Sequence, residues 1–264
     1  MPYLQHQGAS LYYEEHGTGN EVMLFTHGAS LDHRMWKTQV QHFSKRHRVI
    51  TWDVRGHGLS SLPKGPVDPD VFYQDLLRLI EETEADQVTL CGLSMGGHMA
   101  LQAAAAAPEK VKGLVLMGTP FTYSLHWHEK LAAPLNRWTM YSLPMAVTTK
   151  LQGHILSKHR PANKDYILAA SGRMKKNSWS RIWGAVTKMD SSNDLPLIEA
   201  PALLIIGEDD WLVRQQQEHM EEQMQRAESV IIPRAHHAVN LDNPKAVNER
   251  IDLFLQHMEA GIQK

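Results

Sequence analysis

The 264-residue sequence is poor in several features, and each shortage removes a class of protein. It has one cysteine, Cys91, so no disulfide can close within the chain, which points to a reducing, cytoplasmic setting. No apolar run approaches the ~18 residues of a membrane span, so no membrane partner is expected. The first residues, Met1-Pro2-Tyr3-Leu4-Gln5-His6-Gln7, are polar, and no signal peptide is expected there. Net charge is only -2, which gives no electrostatic footprint for nucleic acid. Sixteen histidines are many, but they lack the spacing of metal ligands and have no paired cysteines beside them, so neither metal nor cofactor is expected. At 42% hydrophobic and 21% charged, an ordinary globular chain remains, long enough for one large core.

What the sequence does hold is one organising stretch, Val88-Thr89-Leu90-Cys91-Gly92-Leu93-Ser94-Met95-Gly96-Gly97. An apolar, β-branched run leads into Gly-X-Ser-X-Gly and then into an alanine-rich segment of high helix propensity. That order predicts strand, tight turn, helix. Gly92 and Gly96 remove the Cβ atoms that would collide where the backbone reverses, so Ser94 can sit strained and exposed at the tip. The first amides of the following helix, Met95 foremost, then point at whatever Ser94 attacks. Cys91, at the end of the strand, reads as a small buried hydrophobe.

Around this unit, strands and helices alternate. Tyr3 to Glu15, broken at Gln7-Gly8, predicts an antiparallel hairpin; Val22-Thr26, Arg48-Trp52, Lys112-Met117, Ala202-Ile206 and Ser229-Ile232 predict buried strands. Helices are predicted over Trp36-Phe43, Asp70-Thr83, Val213-Gln225 and Pro244-Met258. The pattern implies a parallel sheet with helices on both faces. It fails between about Phe121 and Asn193, where helical patterns rich in Trp and Met take over. The expected organisation is therefore a core of residues 1–119 and 193–264 and a helical lid of residues 120–192. The lid carries eleven Lys and Arg against three acids, a net +8 that leaves -10 on the body. A solvated face is the plain reading of that asymmetry; steering of a carboxylate-bearing substrate, or lid-to-body contact between subunits, is the alternative.

In open parallel sheets the reactive groups gather outside the carboxyl ends of the strands. Those ends read, in order, His27-Gly28-Ala29, then Ser94, then Gly207-Glu208-Asp209-Asp210, then His236-His237. Nucleophile, acid, histidine is the chain order of the α/β-hydrolases. With Asp53-Val54-Arg55-Gly56-His57-Gly58-Leu59-Ser60 and His237-Ala238-Val239-Asn240-Leu241-Asp242-Asn243-Pro244 added, the sequence resembles that family over essentially its whole length. Within the family, Gly-Leu-Ser-Met-Gly-Gly and Asp32-His33-Arg34-Met35-Trp36 look most like the small bacterial carboxylesterases and the 3-oxoadipate enol-lactonase group.

The resemblance implies an α/β-hydrolase fold: a mostly parallel eight-stranded sheet flanked by helices, with the lid after strand six. It implies a catalytic Ser94, His237 and Asp210, the last chosen over Glu208 and Asp209 by spacing. His236 stands where the family usually has glycine and is read as a bystander. Oxyanion donors would be the backbone N–H groups of Ala29 and Met95. His27 would brace the loop, and Asp53, Arg55 and Gly58 would form a packing turn. His98 is read as a helix-face residue. Ser30, Trp127, Trp138, Met140, Met145, Trp179, Trp183, Leu212 and Val239 are the candidates for a substrate pocket. Relatives that use Asp at the elbow, the haloalkane dehalogenases and epoxide hydrolases, are excluded by Ser94. The expected activity is cofactor-free hydrolysis of a small-molecule ester or lactone through an acyl-enzyme. Carbon–carbon bond hydrolysis or haloperoxidase-like perhydrolysis is the alternative within the fold, and a slow-turnover ligand-binding signalling protein the alternative outside catalysis.

Overall fold

A computed structural model of the chain describes residues 2–125, 131, 134, 135, 138 and 142–262. Eight strands form one sheet: β1 (Tyr3–His6), β2 (Ala9–His16), β3 (Val22–Thr26), β4 (Arg48–Trp52), β5 (Val88–Leu93), β6 (Val111–Met117), β7 (Ala202–Gly207) and β8 (Ala227–Ile232). Their order is β1-β2-β4-β3-β5-β6-β7-β8. The predicted hairpin is present: β1 pairs antiparallel with β2 in a register that sets His6 opposite Ala9. Gln7 and Gly8 between them both have positive φ, 43° and 74°, as a two-residue loop matched to strand twist requires. β2 is also antiparallel to β4, and every pair from β4 to β8 is parallel.

Because side chains alternate along a strand, the apolar runs supply two cores at once. Leu24, Leu90, Leu114, Leu116 and Leu204 enter one, with α2 (Val71–Glu82) and α3 (Met95–Ala106) packed over it. Met23, Phe25, Cys91, Val115, Met117 and Ile205 enter the other. That face is covered by α1 (Lys37–Phe43) and by the closing helix, Pro244–Ile262. Cys91 is fully buried, and burial pushes its thiol far above the ordinary value, as a packing residue requires.

Besides end shifts of one or two residues and a closing helix that runs past Met258 to Ile262, three differences from the expected elements stand out. The helix predicted from Trp36 starts earlier as a 3-10 turn, His33–Trp36, because the Asp32 carboxylate accepts from the Arg34 amide at 3.1 Å. β8 begins at Ala227, two residues early, since β7 pairs with it along its whole length. A short helix, Val239–Asp242, precedes the closing one. Between β6 and β7 lie α4 (Met145–Leu156), α5 (Lys164–Ser171) and α6 (Lys176–Val186). After α7 (Arg214–Gln223), the two C-terminal helices are α8 and α9. Among the described residues, the β6–β7 connection makes a single β-contact, the isolated bridge of Thr122 with Asp190 that closes its base.

One buried ionic knot joins three parts of the fold. Arg55 Nε and Nη2 donate to Asp75 Oδ2 and Oδ1 at 2.5 and 2.6 Å, and His6 Nδ1 lies 2.7 Å from Oδ1. Asp75 is fully buried and Arg55 nearly so. Removing one partner strands the other charge, so Asp75→Ala should lower unfolding stability by about 3–5 kcal/mol in urea titrations. A loss below about 1 kcal/mol would show that the knot is solvated.

Candidate active site

Ser94 joins β5 to α3 with φ 52° and ψ -114°, a conformation that a non-glycine residue adopts only under constraint. Three glycines make the constraint possible. A Cβ on Gly92 would lie 2.4 Å from the Gly96 carbonyl carbon, one on Gly96 2.3 Å from the Thr26 carbonyl oxygen, and one on Gly97 1.9 Å from Thr119 Oγ1. Only atoms without side chains fit there. Ser94 is the one residue between Val88 and Ala104 that is not buried, so the strain presents a hydroxyl at the surface of a dry core.

Main-chain hydrogen bonds carry the site across the strand ends. The Ser94 amide donates to Met117 O at 2.8 Å, Gly118 to Ile205 O at 2.8 Å, and Glu208 to Ile232 O at 2.9 Å. Each rung sets the residue after one strand beside the end of the next, and Asp210 and His237 follow directly. His237 Nδ1 lies 2.8 Å from Asp210 Oδ2. A carboxylate only accepts, so Nδ1 carries the hydrogen and Nε2 keeps its lone pair. Asp210 is fully buried, while its rivals face outward: Glu208 accepts from the Arg234 amide and Asp209 from Lys158. His236 does not meet Asp210; its amide donates to Asp242 Oδ2 at 2.9 Å, and burial lowers its ring pKa.

The loop after β3 lies against the elbow: a Cβ on Gly28 would sit 3.6 Å from Ser94 Cβ. Among the described residues, neither the Ala29 nor the Met95 amide meets an acceptor. His27 clamps this loop. Its Nε2 accepts from the Val54 amide at 3.0 Å, so Nδ1 is the protonated nitrogen and donates to Gly28 O at 2.8 Å. Burial lowers the His27 pKa and keeps the clamp neutral. Behind it, Asp53 Oδ1 accepts from the His33 amide and from His33 Nδ1, both at 2.8 Å, and Oδ2 accepts from Leu59. Asp32, His33 and Asp53 bring ligand-type atoms within 4.8 Å of one another. Their geometry is that of a hydrogen-bond network, because Arg34 engages both Asp32 oxygens and His33 and Leu59 engage both Asp53 oxygens.

A sequence profile described as the alpha/beta hydrolase family matches residues 23–250. The chain belongs to the alpha/beta hydrolase family. Among its relatives is a putative non-heme chloroperoxidase of Synechocystis, 28% identical over 97% of this chain and 100% of that one. The 3-oxoadipate enol-lactonase 2 of Acinetobacter baylyi is 32% identical over 43% of each chain. The crystal structure of the enol-lactonase from Burkholderia xenovorans superposes with a TM-score of 0.87 at 24% identity, covering 97% of this chain and 100% of that one. This alpha/beta hydrolase is therefore an enzyme of hydrolase type on the expected fold.

Among the described pocket candidates, Met145, Trp179 and Trp183 belong to one apolar cluster, while the others lie elsewhere. Trp179 is buried in the core cluster beneath α3, its ring stacked on Trp183 at 5.3 Å, and Val239 is buried in the opposite cluster. Trp138 and Leu212 stand at the surface, 63% and 50% exposed. Met145, half-buried, packs its sulfur on Thr148, while Trp127 and Met140 lie outside the described residues. Ser30 is 1% exposed and its hydroxyl donates to Gln152 Oε1 at 3.0 Å, a role no local pattern announced. His98 is fully buried rather than on an open helix face; it stacks on Tyr123 at 6.0 Å, and burial pushes its pKa down to about 3. Gly118 is a site residue that sequence reasoning treated only as a strand stop. Its φ is +50°, and a Cβ there would lie 3.2 Å from His237 Nδ1 and 3.3 Å from Asp210 Oδ2.

The His33–Asp53 pair is testable by titration. Burial alone would lower His33, but the Asp53 hydrogen bond and charge outweigh it and raise the pKa above 6.5. Burial likewise pushes the Asp53 carboxyl up, and the bonds and charge from His33 more than reverse it. A raised histidine stabilises the fold fully below about 6.5 and ceases to as pH rises through its folded value. The lowered carboxyl stabilises above its ordinary range and ceases to as pH falls through its folded value. In NMR titrations His33 should have a midpoint above 6.5, moving down in Asp53→Asn. A wild-type midpoint at or below 6.5 would contradict the pairing.

Proposed function

We propose that this hydrolase cleaves carboxylic esters or lactones of small molecules through an acyl-enzyme on Ser94, with His237 and Asp210 completing the triad. The observation that carries this reading is His237 Nδ1 at 2.8 Å from Oδ2 of a fully buried Asp210, two strands along the sheet from a strained, half-buried Ser94. Ser94 Oγ attacks the acyl carbon while His237 Nε2 takes its proton, and Asp210 holds the imidazole and stabilises the imidazolium. Charge developing on the carbonyl oxygen is met by the amides of Ala29 and Met95, the latter at the positive end of α3. Collapse breaks the ester C–O bond, and His237 returns the proton to the leaving alcohol. Water then repeats the sequence on the acyl-enzyme, releasing the acid and restoring Ser94.

Residues 120–192 act in this reading as a lid over the acyl and alcohol sites. Its positive charge is spent partly within the chain. Lys158 pairs with Asp209 at 3.2 Å, Arg181 donates to Pro63 O at 2.5 Å, and Arg160 donates to Leu241 O at 3.5 Å. These contacts lie within one chain and leave less free positive charge for steering an anionic substrate. Among the described residues no helix is long and apolar enough to cross a membrane, and a cytoplasmic setting fits the lone buried thiol. A second reading rests on the full-length match to the putative non-heme chloroperoxidase: hydrogen peroxide in place of water would turn the same acyl-enzyme into a peracid.

Hydrolysis of p-nitrophenyl esters of graded acyl length tests the proposal. Ser94→Ala should lower kcat by about 10³- to 10⁶-fold, and Asp210→Asn by about 10⁴-fold, with folding unchanged. Wild-type turnover in Ser94→Ala would overturn the triad. Product stopping at one equivalent per chain would instead favour a slow ligand-binding protein, and peracid formation exceeding hydrolysis in peroxide would favour the second reading.

A further inference from the structure

The segment between β6 and β7 does more than cover the site, because its α4–α5 hairpin touches the segments after β3, β7 and β8 that flank the Ser94 elbow. Gln152 on α4 accepts from Ser30 Oγ at 3.0 Å, and Tyr166 on α5 donates to the Asp32 carbonyl at 3.1 Å. Between the helices, His159 Nε2 lies 2.9 Å from Asp209 Oδ2, next to Asp210. Asn163 Nδ2 donates to Leu241 O at 2.9 Å, in the short helix α8 that follows His237. The exposed Asp209 contacts are the kind that salt and water weaken. The Ser30 and Asp32 contacts are at buried residues, both 2% exposed or less.

Ser30 is also strained. Residues Gly28 to Leu31 form a turn closed by Leu31 N–H to Gly28 O at 3.2 Å, and Ser30 holds its third position with φ +66°. Glycine is the residue that takes this position without cost. A serine stays there only when its surroundings over-determine it, and the hydrogen bond to Gln152 is the side-chain contact that does so. The second position of the same turn is Ala29, whose amide is the proposed oxyanion donor.

We infer that Gln152 is a positioning residue for catalysis: its side-chain oxygen anchors Ser30 and so fixes the turn that aims the Ala29 amide at the oxyanion, with Tyr166 securing the same loop at Asp32. This rests on the hydrolase reading above. The consequence is that the inserted segment sets kcat as well as access, since a substrate that disturbs α4 tilts the Ala29 amide through Ser30, 122 residues from Gln152. Discrimination among acyl groups then shows in kcat more than in KM.

Steady-state kinetics with a boronic acid transition-state analogue tests the inference. Removing an oxyanion donor outright costs about 10²- to 10³-fold, so misaiming one in Gln152→Leu should lower kcat by about 10-fold. KM should change less than about 2-fold, and analogue affinity should fall in step with kcat. Ser30→Ala should match it, and the double variant should be no worse than either single one, because both remove the same bond. Ser30→Gly in the Gln152→Leu background should recover part of kcat, since glycine takes positive φ unaided; a merely structural role would not respond so. Wild-type kcat in Gln152→Leu, or losses that multiply in the double variant, would overturn the inference. If Gln152→Leu does not fold, Ser30→Ala and Ser30→Gly alone decide it: kcat lowered in the first and kept in the second supports the inference, and any other order overturns it. The underlying reading fails separately: Ser94→Ala would then turn over like the wild type.

Discussion

The rest of the molecule depends on a chain reversal that has no room for side chains. Ser94 turns with φ 52° between a buried strand and a buried helix, and Gly92, Gly96 and Gly97 each stand where a Cβ would overlap neighbouring atoms. The overlaps tell which parts are locked together. Gly96 abuts Thr26 and His27 at the exit of β3, so the loop that carries Ala29 is pressed against the Ser94 turn; Gly97 abuts Thr119 at the exit of β6, beside Gly118 and the His237–Asp210 pair. A positive φ at a non-glycine residue costs about 1–2 kcal/mol, which the parallel sheet on both sides of β5 readily holds in place.

From that point outward, polar groups are used as clamps and keep their charge states fixed. His27 is neutral by burial and bridges two backbone groups, while His33 is drawn toward its charged form by Asp53. The same residue type therefore serves two ends, decided by whether a carboxylate or a backbone amide stands opposite. The inserted segment adds a third layer of clamping through Gln152, Tyr166 and Asn163, which tie it to the strand-end segments of the candidate site.

What was legible in the sequence was whatever is encoded locally. The elbow is a short run in which strand propensity, glycine spacing and helix propensity agree, and its strand–turn–helix form follows from those residues alone. The buried strands announced themselves as apolar runs; β8 did so only in part, because it is an edge strand whose first residues are half exposed. Asp210 and His237 needed the family's spacing to single them out from adjacent acids and a neighbouring histidine. Gly118 was opaque as a site residue, and Ser30, named for the pocket, gave no sign of its bond to Gln152. Gly118 is required by its positive φ and by His237 folding back over it, and the partner of Ser30 lies 122 residues along the chain. The pocket candidates fared as composition arguments do: a Trp- or Met-rich stretch says that apolar surface exists, and tertiary packing decides which side of the helix it covers. Trp179 went to the core and Trp138 to the surface.

The decisive measurement is active-site labelling with a fluorophosphonate, followed by peptide mass spectrometry of the intact, folded chain. One adduct per chain on Ser94, formed at a rate that falls sharply in His237→Ala, is the predicted result. Labelling at another residue, or a Ser94 that reacts equally fast without His237, would contradict a triad-activated nucleophile.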